Sequence, residues 1–202
     1  MARYKEEERA EVLNRTRRKL LEAATAEFAQ YGYHQANVNR ISQAAGFAKG
    51  TVYNHFDSKR EIMLALIQEV AIFHLDFVAE PVRMEQGAGR RLERFFEAGL
   101  EFISSHLDQA KVMVNNLFGP DPEFKMVMYQ AYLPMFELVD KEIVSLGIEQ
   151  GVFRQVESTS TAQMLMNIYL GIGSQVDKEG NPWQPAEQVS DFVLHAVRKV
   201  EG

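Results

Sequence analysis

The sequence predicts an all-α protein of about nine helices, and three observations support this. Apolar residues recur at helical spacing along almost the whole chain, and no segment shows a sustained run of strand-type alternation. Glycine and proline residues divide this pattern into segments of helix length. The composition, with 46% apolar and 25% charged residues, is that of an ordinary globular protein.

Three helices are predicted near the N-terminus. The first carries an apolar stripe, and Gly32 follows it as a helix C-cap residue would. Asn37 is a good N-cap for a short second helix, and Gly46 separates that helix from a third. The predicted ranges are 12–31, 38–45 and 49–56, and the stripe of the first helix consists of Leu20, Leu21, Ala24, Phe28 and Tyr31.

The later helices have equally local signals. A capping box opens the fourth helix, because the hydroxyl of Ser58 can accept from the amide of Glu61 while the Glu61 carboxylate reaches back. Pro81 is expected to end that helix, whereas Asp121 and Pro122 suit an N-cap and a first helical position. The predicted helices cover residues 62–81, 90–106, 108–118, 122–146 with a kink at Pro134, 158–176 and 186–200, with loops over 82–89, 147–155 and 178–185.

The two halves of the chain carry opposite net charges. Residues 1–60 hold 11 basic and 7 acidic residues, whereas residues 61–202 hold 11 basic and 21 acidic residues. Such an asymmetry is typical of a nucleic-acid-binding end joined to a different module, although a solvated face would also produce it. We therefore predict two domains, 1–60 and 61–202. The overall net charge of −6 argues against a protein that coats nucleic acid non-specifically.

Several classes of protein are excluded by what the sequence lacks. The chain has no cysteine, so it has no disulfide scaffold, thiolate metal site or cysteine nucleophile. Residues 1–11 contain no signal-type apolar stretch, and strongly apolar runs such as Ile62–Ile67 are too short to span a bilayer. No catalytic motif and no metal-binding histidine spacing occurs. We expect a cytoplasmic, non-membrane protein that is not an enzyme and uses no metal or cofactor.

The second and third helices have the spacing of a helix-turn-helix. In that motif the first helix braces the second, which lies in the major groove of DNA. The connecting turn needs a residue that tolerates a left-handed backbone, and Gly46 supplies it. The inward positions are apolar and are expected to pack against Phe28; they are Val38, Ile41, Ala44, Ala45, Phe47 and Val52.

The outward positions of the third helix are polar. Asn54 is a side chain that can pair bidentately with adenine, and the methyl group of Thr51 can contact thymine. Gly50 would let the start of the helix approach a phosphate closely. Tyr53 could pack instead of touching DNA, and His55 could cap or pack. The outward set is Lys49, Gly50, Thr51, Tyr53, Asn54 and His55, with Lys59 just beyond.

The stretch from Asn37 to Phe56, followed by Ser58 and Lys59, resembles the DNA-binding domain of the TetR family of regulators. The match covers residues 14–66, including the entry from Thr16 to Phe28 and the turn 31–33. It is long and specific. Beyond it, the chain resembles the family only in length and in its helical plan.

The resemblance implies a role for every DNA-binding candidate except Asn54. Asn37, Val38 and Asn39 correspond to the site where the bracing helix meets the DNA backbone. Lys49, Gly50 and Thr51 correspond to the start of the recognition helix, Tyr53 and His55 to phosphate contacts, and Lys59 to the start of the next helix. Two positions depart from the family: Asn37-Val38 replaces a frequent threonine pair, and Ala48, which cannot cap a helix, replaces a serine.

The second half of the chain is rich in methionine and phenylalanine, which can line an adaptable apolar pocket. Members of the family that it resembles place an inducer pocket in this region. Large apolar residues are normally core residues, so each candidate has that alternative. The candidate ligand-binding residues are Phe77, Phe102, His106, Met113, Asn116, Tyr129 and Tyr132.

The last two predicted helices, about 158–177 and 186–200, are candidates for a homodimer interface. Gly171, Gly173 and Ser174 would let a partner helix approach closely. The apolar stripe of the last helix also needs a cover, which another part of the same chain could provide. That stripe consists of Val189, Phe192, Val193, Ala196, Val197 and Val200.

These features together predict a ligand-responsive transcriptional regulator. We expect a repressor that a small apolar or aromatic effector releases from a palindromic double-stranded DNA operator. Two alternatives stay open: a helical enzyme or carrier that keeps the fold without using it on DNA, and an adaptor that acts through protein partners.

Overall fold

A computed structural model describes residues 2–177 and 179–199, with side chains from Glu8 onward. Strand-type pairing in these residues is limited to two isolated bridges, so the predicted all-α class is confirmed. The helices are α1 Ala2–Gln35, α2 Val38–Ala44, α3 Lys49–Tyr53, α4 Lys59–Met84, α5 Ala88–Ser105, α6 Leu107–Leu117, α7 Pro122–Ala131, α8 Leu133–Glu137, a π-helical segment Leu138–Ser145, α9 Leu146–Glu149, α10 Ser158–Gly173 and α11 Ala186–Val197.

The chain divides into two compact units, Met1–Glu69 and Val70–Gly202. This boundary lies later than the predicted one at residue 60, because the first turns of α4 belong to the N-terminal unit. Ile62 and Leu66 are buried in that unit. Glu69 lies close enough to Arg17 and Arg18 of α1 for their positive charges to act on its pKa. Gly32 breaks α1 as expected, with φ +68°, although helical turns resume after it.

Helix α4 does not end at Pro81, which corrects the prediction. Proline removes one backbone donor, but the helix continues to Met84 because Val78, Ala79 and Val82 are almost completely buried in the core. The apolar run is therefore longer than expected, and length and composition alone would let α4 cross a membrane. Half of its most apolar window is buried inside the protein, as in the core helix of a globular domain.

The core of the second unit is formed by α5, the π-helical segment, α10 and α11, with α11 packed chiefly on α5. The long helix predicted over 122–146 is interrupted at Tyr132 instead of being kinked at Pro134. Pro134 lies in the first turn of α8, where its missing N–H leaves no helical bond unmade. The Asp121 cap is confirmed, because its carboxylate accepts from the amides of Glu123 and Phe124.

The ends of the last helices also differ from prediction. Residues 146–149 are helical, and the turn follows them, where the amides of Val152 and Phe153 both donate to the carbonyl of Gly147. Helix α10 ends at Gly173 and α11 at Val197. Lys178, in the predicted loop, and Val200, at the end of the predicted apolar stripe, lie outside the described residues.

Candidate nucleic-acid interface and effector cavity

Local hydrogen bonds define the helix-turn-helix at α2 and the turn after it. The side chain of Asn37 accepts from the amide of Asn39 at 2.8 Å, so the predicted N-cap is confirmed. Gly46 has φ +76°, in the left-handed region that favours glycine, and its amide donates to the carbonyl of Gln43. The chain can therefore reverse within four residues and bring α3 against α2.

Helix α3 is shorter than predicted, since it ends at Tyr53 and continues as a turn. Ala48 occupies its N-cap without a side-chain hydrogen bond, as expected. Val52 is fully buried and joins the core of the N-terminal unit. The inward set needs correction, because Ala44 is exposed, Ala45 and Phe47 are only half-buried, and Phe56 is a core residue that the sequence pattern did not reveal.

The structure places most of the DNA-binding candidates at the surface of α2 and α3. Val38 differs, because its side chain is buried and only its backbone is available to a phosphate. Tyr53 is 45% exposed, so its ring does not belong to the core. Asn37, Asn39, Lys49, Gly50 and Asn54 are exposed as well, whereas Thr51, His55 and Lys59 are half-buried.

An ion pair between the buried Glu27 and the exposed Arg40, which the sequence pattern did not predict, holds the start of α2 against α1. The carboxylate of Glu27 accepts from the amide of Asn37 at 2.7 Å and from Nε of Arg40 at 2.8 Å. Burial alone would raise the pKa of Glu27, but the hydrogen bonds from Arg40 and Asn37 outweigh it and lower that pKa. The signal in the sequence was a carboxylate directly before the core residue Phe28.

Lys59 interacts mainly with α1. Its Nζ donates to the carbonyls of His34 and Ala36, each at 3.1 Å, and lies 4.8 Å from the centre of the Tyr33 ring. A lysine near a helix C-terminus commonly satisfies the last carbonyls in this way. Lys59 therefore stabilises the junction between α1 and α2, and its contact with DNA stays a prediction.

The second unit contains an open cavity of about 310 Å³ between α6, α7, α8 and α10. Its size is at the lower end of the range for pockets that bind small molecules. None of the lining side chains carries a formal charge at neutral pH. The lining consists of Met113, Val114, Leu117, Met128, Tyr129, Tyr132, Leu133, Phe136, Gln163, Met166, Asn167 and Leu170.

Three of the predicted ligand-binding residues, Met113, Tyr129 and Tyr132, line this cavity. Asn116 does not, because it is buried and its amide nitrogen donates to the carbonyl of Val112. Phe77, Phe102 and His106 also lie elsewhere, in an aromatic cluster with Phe73 and His74. The four lining residues of α10 were not predicted, because that helix was assigned to dimerisation.

The aromatic cluster separates two histidines that could otherwise have formed part of a metal site. The ring of Phe102 stacks on His74 at 4.1 Å and on His106 at 4.9 Å between ring centres. The two imidazoles therefore lie on opposite faces of one phenyl ring. Among the described residues, no group of three or more histidine and carboxylate side chains is placed to hold a metal ion.

Helices α10 and α11 each present a large exposed apolar side chain, Met164 at 64% and Phe192 at 70% exposure. Val189, Val193 and Val197 of the predicted α11 stripe are buried within the unit, so only part of the described stripe faces outward. Gly173 does not serve the approach of a partner helix, because it is buried and a side chain there would overlap Ile103 of α5. Gly171 has open space around it.

Comparison with known proteins supports the interpretation of the N-terminal unit and extends it to the whole chain. Residues 20–66 match the family model described as bacterial regulatory proteins, tetR family. The HTH-type transcriptional repressor AcnR of Corynebacterium glutamicum is 37% identical over 191 residues, which cover 91% of this chain and 93% of AcnR.

Two solved structures share the fold. The fatty acid degradation regulator FadR from Bacillus halodurans superimposes with a TM-score of 0.76 at 22% identity, over 89% of this chain and 94% of FadR. FadR from Bacillus subtilis in complex with stearoyl-CoA has a TM-score of 0.74 at 21% identity, over 88% and 95% of the two chains. With the AcnR match and the helix-turn-helix geometry, these findings show that the chain belongs to the TetR family of bacterial regulatory proteins and is a DNA-binding transcriptional regulator.

Proposed function

We propose that this protein is a homodimeric repressor that a small, neutral and largely apolar effector releases from a palindromic operator. The observation that carries the proposal is the uncharged, mostly apolar cavity in a chain whose α2 and α3 present an exposed polar face. An unpaired charge would be costly to bury in such a cavity. The relative AcnR is a transcriptional repressor, which supports the repressor part of the proposal, and the complex of Bacillus subtilis FadR with stearoyl-CoA supports the binding of a ligand with a large apolar part.

The same relatives bear on catalysis and location. They are transcriptional regulators, and regulators of this type are typically cytoplasmic. We assign this protein to the cytoplasm and assign it no catalytic activity. Effector binding must favour one of two conformations of the dimer, because a ligand with equal affinity for both would not change DNA binding.

Tyr53→Ala is expected to weaken operator binding about tenfold and to do so largely irrespective of base sequence, because Tyr53 is an exposed hydroxyl donor suited to a phosphate. Asn54→Ala is expected instead to relax the base preference at one position, since an asparagine can read adenine. The operator is first obtained by selection from random duplexes, and fluorescence anisotropy then measures affinity at several salt concentrations.

Trp183→Ala is the matched control, because Trp183 is an exposed aromatic residue of the second unit that does not line the cavity, and the operator affinity of this variant is expected to equal that of the wild type. Failure of the selection to enrich any duplex at moderate salt would overturn the proposed function. Unchanged affinity and base preference in both the Tyr53 and Asn54 variants would show that another face of the domain binds DNA.

Phe192→Ala is expected to weaken dimerisation about tenfold, because a buried aromatic side chain at an interface commonly contributes at least that much to affinity. Sedimentation velocity over a range of protomer concentrations measures the change. Phe118→Ala, which removes another exposed phenylalanine at the end of α6, is the matched control and is expected to leave dimerisation unchanged. Equal dimer affinity in the two variants would place the interface away from α11.

A further inference from the structure

A chain of hydrogen bonds runs from the wall of the cavity into the core of the second unit. Tyr132 lines the cavity, and its hydroxyl lies 3.2 Å from Nδ1 of His74 on α4. On the other side of the ring, Nε2 of His74 lies 2.8 Å from the hydroxyl of Tyr169 on α10. That hydroxyl lies 3.2 Å from the carbonyl oxygen of Gly99 on α5.

The positions of the protons in this chain follow from counting donors and acceptors. A carbonyl only accepts, so the bond at Gly99 uses the single hydroxyl proton of Tyr169. Tyr169 must then accept from Nε2 of His74. A neutral imidazole has one N–H, so Nδ1 is an acceptor and Tyr132 donates to it. In the opposite tautomer Nε2 would be an acceptor, and Tyr169 would have to donate to it. No proton would then remain for the contact between Tyr169 and the carbonyl of Gly99.

The chain of bonds requires a neutral imidazole, and the surroundings of His74 provide for one. His74 is completely buried, and its ring lies against Phe102. Burial, together with the nearby positive charge that His106 can carry, lowers the pKa of His74 to about 3. The imidazole of His74 is therefore neutral at pH values near 7, where Nε2 donates to Tyr169 and Nδ1 accepts from Tyr132.

We propose that Tyr132 determines effector specificity by offering the cavity an acceptor and not a donor. Its one proton is committed to His74, so its oxygen can only accept from a ligand that reaches it. An alcohol or phenol can donate to that oxygen without disturbing the chain. A ketone, ester or ether cannot donate, so it can pair with Tyr132 only if the Tyr132 hydroxyl turns its proton away from His74 and towards the ligand.

Turning that proton away from His74 has a cost, because Nδ1 of His74 would be left as a buried acceptor without a partner. The remaining polar side chains of the cavity wall, Tyr129, Gln163 and Asn167, are exposed and can also contact water. They can serve either kind of ligand, since an amide group and a phenol hydroxyl each donate and accept. The preferred effector is therefore a neutral, mainly apolar molecule with a hydroxyl group at the Tyr132 end.

This inference rests on the proposed function of the cavity, and two probes that share one carbon skeleton test it. 1-Phenylethanol carries a hydroxyl group where acetophenone carries a carbonyl oxygen. We expect the full-length protein to bind 1-phenylethanol about tenfold more tightly than acetophenone, as measured by ligand-detected NMR titration. Tyr132→Phe is expected to abolish the preference, because it removes the acceptor.

Two further variants separate specificity from folding. Tyr129→Phe removes the hydroxyl of another tyrosine that lines the cavity, and a loss of the preference in this variant would assign it to Tyr129 instead of Tyr132. His74→Gln is expected to keep the tenfold preference, because the amide oxygen of glutamine can accept from Tyr132. Equal affinities in the wild type, no saturable binding of 1-phenylethanol, or a preference that survives Tyr132→Phe would overturn the inference. Operator binding by the unliganded protein, measured separately, tests the proposed function.

Discussion

Gly99→Ala is expected to destabilise the folded protein by about 2 kcal/mol, because there is no room for a methyl group at this point of α5. An added Cβ would lie 2.6 Å from Cε2 of the fully buried Tyr169 ring. Alanine favours a helix over glycine by about 1 kcal/mol, so the overlap and the loss of the hydrogen bond from Tyr169 must exceed that gain. Urea unfolding followed by circular dichroism measures the difference.

Gly89→Ala in the same helix is the matched control. The nearest atom to its added Cβ, Cδ2 of Leu194, is 3.9 Å away, which is ordinary van der Waals contact. This variant is expected to be as stable as the wild type or more stable by about 0.5 kcal/mol. If Gly99→Ala proved equally stable, Tyr169 would have to be able to move away from α5 without cost, and the hydrogen-bond chain through His74 would not be held in place by packing.

The second large effect is a loss of stability in mild acid that depends on His74. The pKa of this residue is lowered to about 3 in the folded protein, from an ordinary value of 6.5. Below pH 6.5 the unfolded chain therefore binds a proton that the folded protein does not, and stability falls as the pH decreases towards 3. The loss amounts to about 2 kcal/mol at pH 5.0 relative to pH 7.5.

His74→Gln isolates this contribution, because glutamine does not titrate but can accept from Tyr132 and donate to Tyr169. Unfolding in urea at pH 7.5 and pH 5.0, at one fixed protomer concentration, is compared for the two proteins. The decrease in stability between the two pH values is expected to be about 2 kcal/mol smaller in the variant. An identical decrease would mean that His74 is protonated in the folded protein at pH 5.0.

Features that depend on a few neighbouring residues could be predicted from the sequence. The cap at Asn37, the left-handed turn at Gly46 and the start of α7 at Asp121 each rest on one side chain or one backbone angle, and the structure contains all three. Helix ends were predicted less well. Pro81 is tolerated because its neighbours are buried, and burial depends on residues far away in the chain.

The candidate DNA-binding face and the cavity also differ in how far the sequence predicts them. The polar outward residues of α3 follow from helical periodicity, so the sequence predicts them directly. The cavity does not follow from periodicity, because its wall combines residues from four helices that are separated in the chain. Phe102 and Met113 have similar apolar character in the sequence, yet only Met113 lines the cavity, while Phe102 packs between two histidines.

By itself the sequence determined the helical class, the helix-turn-helix and the resemblance to TetR regulators, because these depend on residue spacing and on local backbone requirements. Only the tertiary structure decided which aromatic residues line the cavity, that Glu27 anchors the start of α2, and that His74 links Tyr132 to Tyr169. The physical reason is that hydrogen-bond partners and buried surfaces are set by the packing of distant segments, and the spacing of residues along one helix does not specify them.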